Sequence, residues 1–121
     1  NATTPCKESV VKEMLPYFNK HFGNASSSHH PFGWFAKDAL DESKNMISKT
    51  LGISQKEFIF TSGSTESINS VLKGLYKKNK STRNHIITSK AEHKAVLDVC
   101  EFLEKEGAKV TYLDVTSDGL I

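Results

Sequence analysis

The 121-residue sequence has few cysteines, few prolines and no long run of apolar residues. Its two cysteines, Cys6 and Cys100, are too few for a disulfide framework and do not have the spacing of zinc ligands. No apolar run approaches the roughly 20 residues that a membrane-spanning helix needs, and the start lacks the basic and apolar regions of a signal peptide. We therefore expect a soluble, cytoplasmic protein that does not associate with membranes.

The sequence also lacks an excess of one charge. Lys and Arg together number 16, Asp and Glu number 14, and the formal net charge is +2. The basic residues form no stripe that could follow a phosphodiester backbone, so nucleic acid is not an expected partner. The one basic cluster, Lys77, Lys78 and Lys80, is placed where a helix should end, which suits the helix dipole.

The first third of the chain has a helical composition on both sides of a polar loop. Residues 8–22 favour a helix, which Pro16 is expected to end or kink near Leu15. Residues 23–33 form a predicted loop, rich in Ser and His between positions 24 and 31. A loop role is favoured for its adjacent histidines, which cannot point the same way and so make a poor metal pair.

A long amphipathic helix is predicted after this loop. Apolar residues recur at helical spacing up to Leu51, and Gly52 stands where a C-terminal cap is expected. Trp34 and Phe35 open the helix. Large aromatic residues are usually buried, so we expect these two in the core or in an interface.

The remaining residues alternate between strand and helix patterns. Predicted strands lie at residues 58–61, 85–88 and 110–115, and helical stripes lie at 68–75 and 96–103. Strands that alternate with helices of this length form a mainly parallel sheet with helices on both faces. The predicted class is α/β, as part of a three-layer sandwich.

The turn after the first predicted strand has the composition of an anion site. Residues 61–67 read Thr-Ser-Gly-Ser-Thr-Glu-Ser and lead directly into a helix. Backbone N–H groups at a helix start have no intrahelical partner and lie at the positive end of the dipole, so they can hold a phosphate. The alternative is that these hydroxyl side chains only cap the helix, which is their commoner role.

The turn after the second predicted strand contributes His93. Because the carboxyl ends of parallel strands share one edge of a sheet, His93 is expected on the same side as the anion site. An imidazole can transfer protons near neutral pH and can stack on a planar ligand. The alternative is a histidine that caps the helix or faces water. Glu92 and Lys94 are interpreted as solvated charges at the helix start, and Cys100 as a buried, unreactive thiol.

Four motifs, in chain order, resemble the N-terminal part of cysteine desulfurases, which are pyridoxal-phosphate enzymes of the class V aminotransferase group. They are Asn-Ala-Thr-Thr-Pro at residues 1–5, the segment 22–34 with Phe-Gly-Asn at its start, the turn at 61–67, and residues 85–98 with Glu-His-Lys-Ala-Val-Leu-Asp at their end. Departures are small: Ala25 replaces a usual proline. The resemblance covers the whole chain.

The resemblance implies a fold type I pyridoxal-phosphate enzyme in which Ser64 and Thr65 hold the cofactor phosphate. His93 would stack on the pyridine ring and shuttle protons. The implied reaction converts L-cysteine to L-alanine and leaves a persulfide on an enzyme cysteine, which feeds iron–sulfur cluster assembly or other sulfur acceptors. A homodimer and a sulfur-acceptor or scaffold partner are also implied.

The resemblance also implies what the 121 residues do not contain. The lysine that binds the cofactor and the cysteine that carries the persulfide would both follow Ile121, so we expect a piece of a longer enzyme that is inactive alone. Residues 1–30 would lie near the small domain and the active-site mouth, and residues 31–121 would begin the large cofactor-binding domain. Other class V activities, selenocysteine lyase or cysteine sulfinate desulfinase, stay open, as does a non-catalytic interaction remnant.

Overall fold

The computed structural model of the protein describes residues 3–121. Asn1 and Ala2, the first residues of the motif at positions 1–5, lie outside the described residues. The chain divides into two compact units, an N-terminal unit, Asn1–Ile59, and a C-terminal unit, Phe60–Ile121. The division falls inside the segment 58–61 that the sequence predicts to be a strand.

The N-terminal unit begins with two short helices in a single helical region. Helix α1 is Glu8–Met14 and helix α2 is Pro16–Asn19. The predicted interruption at Pro16 is confirmed. The proline becomes the first residue of α2, a position where its missing N–H costs nothing and its fixed φ suits the helix.

Helix α3, Pro31–Leu51, is the long amphipathic helix that the sequence predicts. At its start, Nδ1 of His30 accepts a hydrogen bond from the N–H of Gly33, 3.3 Å away. At its end, Gly52 has a φ of 67° and its N–H donates to the carbonyl of Ser48. The predicted glycine cap is therefore confirmed, and it uses the left-handed conformation that favours glycine.

The loop before α3 packs closely against the start of that helix. A Cβ atom on Gly33 would overlap the carbonyl oxygen of Ser27, and one on Gly23 would overlap the carbonyl oxygen of Phe32. Two glycines therefore permit the close approach of the backbone, and the loop is held by packing rather than by burial of its Ser and His side chains.

The aromatic residues at the start of α3 are not buried within the N-terminal unit. Trp34 is 52% exposed and Phe35 is 66% exposed, so the expectation of core packing is wrong for both. The indole N–H of Trp34 donates to the carbonyl of Ser28 at 2.7 Å, which directs the ring towards the loop instead of the interior. The alternative, an interface, stays a prediction.

The segment after α3 contains a 3₁₀ helix, Gln55–Glu57, followed by residues that do not form the predicted strand. Phe58 has extended backbone angles, φ −119° and ψ 129°. The sheet of the described residues nevertheless has two strands, neither of which includes residues 58–61, so this strand prediction is wrong. The apolar pattern selects the extended backbone that Phe58 adopts, whereas the sheet itself is built from β-rich segments further along the chain, at residues 85–89 and 109–113.

The C-terminal unit alternates helices and strands as the sequence predicts. Helix α4 is Ser64–Asn79, strand β1 is His85–Ser89, helix α5 is Lys94–Lys105 and strand β2 is Lys109–Leu113. The two strands are parallel and paired in register along their length. Because α5 connects them, they form a βαβ unit, and the α/β class is confirmed.

The core of the C-terminal unit lies between the two helices and one face of the sheet. Cys100 is fully buried on α5, as predicted. Burial, followed by the charges of Glu104 and Glu92, raises the pKa of this thiol. The opposite face of the sheet carries Ile87, which is 62% exposed. The unit thus contains two of the three expected layers. The other core residues are Val99, Leu103 and Ala108, with Ile68, Leu72, Tyr76, Ile86 and Val110 packed against them.

Helices α4 and α5 are joined along their length by specific contacts. Near their C-terminal ends, the hydroxyl of Tyr76 donates to the carbonyl of Glu106 at 2.8 Å. Further towards their starts, Nζ of Lys73 lies 4.6 Å from the ring centroid of Phe102. This cation–π contact covers part of a phenylalanine that is 46% exposed.

We expect opposite effects from adding a methyl group at two helical glycines. Gly33→Ala should destabilise the protein by more than about 1 kcal/mol, because the new Cβ must displace the carbonyl of Ser27. Gly74→Ala should stabilise it by about 0.5–1 kcal/mol, because open space surrounds Gly74 in α4 and alanine favours helix. Urea unfolding measures both, and a neutral Gly33→Ala would contradict the close packing of the loop.

A hydrogen bond from Tyr112 connects β2 to α5, and this tyrosine should ionise at a higher pH than an ordinary tyrosine. Its hydroxyl donates to a carboxylate oxygen of Glu104 at 3.0 Å. Burial, followed by this hydrogen bond and the carboxylate charge, raises the pKa of Tyr112 to about 12. The neutral phenol is the stabilised form, so its contribution to stability is complete below the ordinary pKa of about 10 and disappears as the pH rises towards 12.

Ultraviolet absorbance titration should therefore detect one of the three tyrosines ionising near pH 12. Glu104→Gln should lower that pKa because it removes the negative charge beside the phenol. If all three tyrosines of the native protein ionise together near the ordinary value, the contact with Glu104 does not form in solution.

Candidate functional site

The turn before α4 is held by hydrogen bonds between its own residues and the first turn of the helix. A carboxylate oxygen of Glu66 accepts from both the N–H and the hydroxyl of Ser62, at 2.6 and 2.7 Å. The hydroxyls of Thr61 and Ser67 lie 2.7 Å apart. Both also lie within hydrogen-bond distance of the carbonyl of Gly63, at 3.3 and 3.2 Å, so that one hydroxyl donates to the other and the second donates to this carbonyl. The turn therefore reaches the helix in a fixed conformation.

Among the described residues, no side chain caps the start of α4. The N-cap residue is Gly63, which has no hydroxyl, and the first hydrogen bond of the helix runs from the N–H of Ser67 to the carbonyl of Gly63. The N–H groups of Ser64, Thr65 and Glu66 precede that bond. The capping alternative for this Ser/Thr-rich turn is therefore not the arrangement found.

The hydroxyl side chains of the turn divide into two sets. Those of Thr61, Ser62 and Ser67 make the internal hydrogen bonds just described. Those of Ser64 and Thr65 make no hydrogen bond to any residue in the range 3–121. The two hydroxyls that the sequence assigns to a phosphate are thus the two available for a ligand.

The charge at this helix start is that of an ionised carboxylate. The two hydrogen bonds from Ser62 lower the pKa of Glu66, the backbone N–H contributing most. A negative charge in the first turn also interacts favourably with the helix dipole. Glu66 is directed towards Ser62, and not towards the N–H groups at the start of α4.

His93 lies at the start of α5 and caps that helix. Its Nδ1 accepts from the N–H of Ala95 at 3.1 Å, so the capping alternative is present in the structure. Since Nδ1 serves as an acceptor, the proton of the neutral ring is on Nε2. The residue is exposed. Capping thus uses one nitrogen of the ring and leaves the other, with its proton, directed away from the bond.

The residues beside His93 carry charges at the surface, as the sequence predicts. Lys94 pairs with Asp98 at 2.7 Å, one turn along α5. The hydrogen bond and charge of Asp98 raise the pKa of Lys94. The Lys94 side chain is 82% exposed, so the pair contributes little to stability. Glu92 and Lys94 are both exposed, so burial does not fix the direction of either charged side chain.

A cavity of about 330 Å³ is lined by residues from the first part of α4 and from the start of α5. From α4 it is lined by Ser67, Ile68, Val71 and Leu72, and from the α5 side by Glu92 and Val96. Since the C-terminal ends also meet, the two helices run side by side in the same direction. The positive ends of both dipoles therefore lie at the same end of the unit.

Ser64, Thr65 and His93 accordingly lie at this common end. Ser64 and Thr65 are within one turn of Ser67, and His93 follows Glu92 directly. No hydrogen bond joins His93 to either hydroxyl within the described chain. A ligand that reached both groups would span the starts of two helices.

One pair at this end was not recognised in the sequence. Nζ of Lys90, just after β1, lies 2.6 Å from Oδ1 of Asp114, just after β2. The N–H of Lys90 also donates to the carbonyl of Leu113 at 2.9 Å. The strand register could have indicated this pair, because Lys90 and Asp114 each directly follow one of two parallel strands whose last residues are paired. The pairing neutralises a lysine that could otherwise attract an anion.

Residues 3–121 contain neither a candidate metal site nor a candidate membrane-spanning helix. No group of three or more His, Cys, Asp or Glu side chains there is arranged to hold a metal ion. No helix in that range is both long enough and apolar enough to cross a membrane.

The sequence matches a known family along its whole length. The profile of the family "Aminotransferase class-V" matches residues 1–121. The chain belongs to this family. The resemblance found in the motifs is therefore confirmed.

The chain is similar to a relative that is named for its activity and to two solved structures. It is 50% identical over 120 residues to "Cysteine desulfurase IscS" of Rickettsia massiliae (strain Mtu5), covering 99% of this chain and 29% of that protein. Among solved structures, a "NifS-like protein" has a TM-score of 0.86 and 37% identity over 94% of this chain and 31% of the other. "SspA in complex with cysteine" has a TM-score of 0.83 and 40% identity over 99% and 34%. The chain thus spans about 30% of the length of these relatives.

The capping bond of His93 predicts the stability of its variants. His93→Ala should destabilise the C-terminal unit by about 1 kcal/mol, because the N–H of Ala95 loses its acceptor. His93→Asn should be close to the unsubstituted protein, since asparagine is a good N-cap residue. Urea unfolding followed by circular dichroism compares the three proteins. Equal stability of the alanine and asparagine variants would contradict a capping contribution.

Proposed function

We propose that these residues are the N-terminal part of a cysteine desulfurase, which takes sulfur from L-cysteine and releases L-alanine. The sulfur passes to an enzyme cysteine as a persulfide, for iron–sulfur cluster assembly or another acceptor. The observation that carries the proposal is 50% identity over 120 residues to a protein named cysteine desulfurase. The neighbour described as a complex with cysteine supports the choice of substrate.

The groups at the start of α4 fit the phosphate of pyridoxal 5′-phosphate. Ser64 and Thr65 offer two hydroxyls that have no hydrogen-bond partner within residues 3–121, and the first-turn N–H groups precede the first helical hydrogen bond. Hydroxyl and N–H donors at a helix start are the groups that hold phosphate in many proteins. When bound, the cofactor supplies an electron sink for the chemistry at the substrate. Ser64 and Thr65 hold it in place at its phosphate.

His93 is proposed to lie against the pyridine ring and to move protons. Its capping bond imposes a condition on this role. The neutral ring has its proton on Nε2, so a second proton can be accepted only at Nδ1, which is engaged with the N–H of Ala95. Proton uptake by His93 is therefore coupled to loss of the cap of α5, whereas donation of a hydrogen bond from Nε2 leaves the cap intact.

A homodimer and a sulfur-accepting partner are also proposed. The accessible surface is 9973 Å², whereas two compact units of half this mass each would expose roughly 7,800 Å². The excess includes large apolar side chains such as Ile59, at 80%, and Phe18, at 73%. Such groups are usually covered by further protein.

The exposed free thiol of Cys6 supports a reducing, cytoplasmic location.

The proposal predicts distinct defects for the two parts of the site in the complete polypeptide. The double variant Ser64→Ala, Thr65→Val should weaken pyridoxal 5′-phosphate binding at least about tenfold, because hydrogen bonds to a charged group are lost. The matched control is Thr82→Val, which removes a threonine hydroxyl just beyond the other end of α4. Equilibrium dialysis measures both, and equal weakening by the control would count against the phosphate site.

His93→Asn should retain the helix cap but lower L-alanine release from L-cysteine by about a hundredfold, the usual contribution of a proton-transferring side chain. The assay compares L-cysteine with selenocysteine and cysteine sulfinate as substrates. Faster turnover of selenocysteine or cysteine sulfinate would contradict L-cysteine as the substrate. Full turnover of cysteine by the asparagine variant would remove His93 from the reaction.

A further inference from the structure

Among residues 3–121, the helices that begin at Glu8, Gln55 and Ser64 each carry a glutamate in the first turn, and the second and third of these starts differ in one respect. At the 3₁₀ helix, the hydroxyl of Ser54 accepts from the N–H of Lys56 at 3.3 Å, and Glu57 accepts from the N–H of Ser54 at 2.8 Å. This is a closed capping box, in which the protein satisfies its own donors. The N–H groups there are not offered to a ligand.

At the start of α4, no capping box forms among the described residues. The N-cap position is occupied by Gly63, so no hydroxyl can accept from the helix. The carboxylate of Glu66 reaches past that glycine and accepts from Ser62, one residue earlier. The N–H groups of Ser64 and Thr65 are thus left free of both kinds of cap.

The contacts of Glu66 also determine the path of the turn. Two hydrogen bonds, at 2.6 and 2.7 Å, join it to a single residue, Ser62. Hydrogen bonds to an ionised acceptor are shorter and stronger than those between neutral groups. The Thr61–Ser67 contact, 2.7 Å, fixes the preceding residue to the same helical turn. The Thr61–Ser67 and Ser62–Glu66 contacts therefore both span Gly63.

We propose that Glu66 is a positioning residue for the cofactor phosphate. It holds the turn against the first turn of α4, so that the hydroxyls and N–H groups of Ser64 and Thr65 converge on one anion. The inference rests on the proposed function, because it concerns the same site. The carboxylate does not contact the anion, and it acts through Ser62.

A positioning role and a simple charge effect predict different results. If Glu66 only repelled a phosphate through its charge, both Glu66→Gln and Glu66→Ala would tighten binding. If it positions the turn, Glu66→Ala weakens binding and Glu66→Gln largely restores it, because the glutamine oxygen can still accept from Ser62. The matched control is Glu57→Ala, which removes the carboxylate of the closed capping box.

The test uses the complete polypeptide, freed of cofactor, and measures its affinity for pyridoxal 5′-phosphate and for pyridoxal, which lacks the phosphate. We expect Glu66→Ala to weaken binding of the phosphorylated compound about tenfold, corresponding to loss of a charged hydrogen bond, and to leave the affinity for pyridoxal unchanged. The phosphorus NMR shift of the bound phosphate should change in the same variant. Glu66→Gln and Glu57→Ala should remain within about twofold of the unsubstituted protein.

The outcomes separate this inference from the function on which it rests. Unchanged binding by Glu66→Ala, together with weak binding by the Ser64 and Thr65 double variant, would overturn the role of Glu66 and leave the phosphate site standing. Unchanged binding by both would overturn the phosphate site itself. Equal loss of pyridoxal and pyridoxal 5′-phosphate by Glu66→Ala would indicate a general structural defect and would overturn the positioning role.

Discussion

The candidate site depends on backbone N–H groups at the start of α4 that the protein does not cap. Every α-helix begins with such groups, and most proteins satisfy them with a side chain at the N-cap. Here the N-cap is Gly63, and the nearby hydroxyls of Thr61 and Ser67 are engaged with each other. The same chain closes a capping box at Ser54 and Glu57, so the open start of α4 is a local property of its sequence.

The fold places a second group beside this helix start. In a βαβ unit, the helix after the first strand begins where that strand ends. His93 is therefore fixed at the start of α5, and packing of α5 along α4 brings the two starts to one cavity. The capping bond of His93 orients the ring while limiting which nitrogen can accept a proton. The observed capping role and the proposed role at the cofactor ring thus involve one side chain.

Much of the fold could be predicted from the sequence, because periodicity and end signals are local. The break at Pro16, the cap at Gly52 and the strand that begins at His85 were all predicted correctly. The failures involve groups whose state depends on distant neighbours. Residues 58–61 have the composition of a strand but no place in the two-stranded sheet, and Trp34 has the composition of a core residue but is half exposed.

The sequence by itself determined the helices, the α/β class and the family, and it indicated the turn at residues 61–67 as a candidate anion site, since each of these follows from composition and order along the chain. Only the tertiary structure decided which hydroxyls remain available, that Glu66 is directed to Ser62, and that Lys90 is paired with Asp114. The physical reason is that hydrogen bonds and ion pairs depend on distances between atoms across turns and between elements. Residue type states only what a side chain could bind, whereas the fold selects one partner among the possible ones.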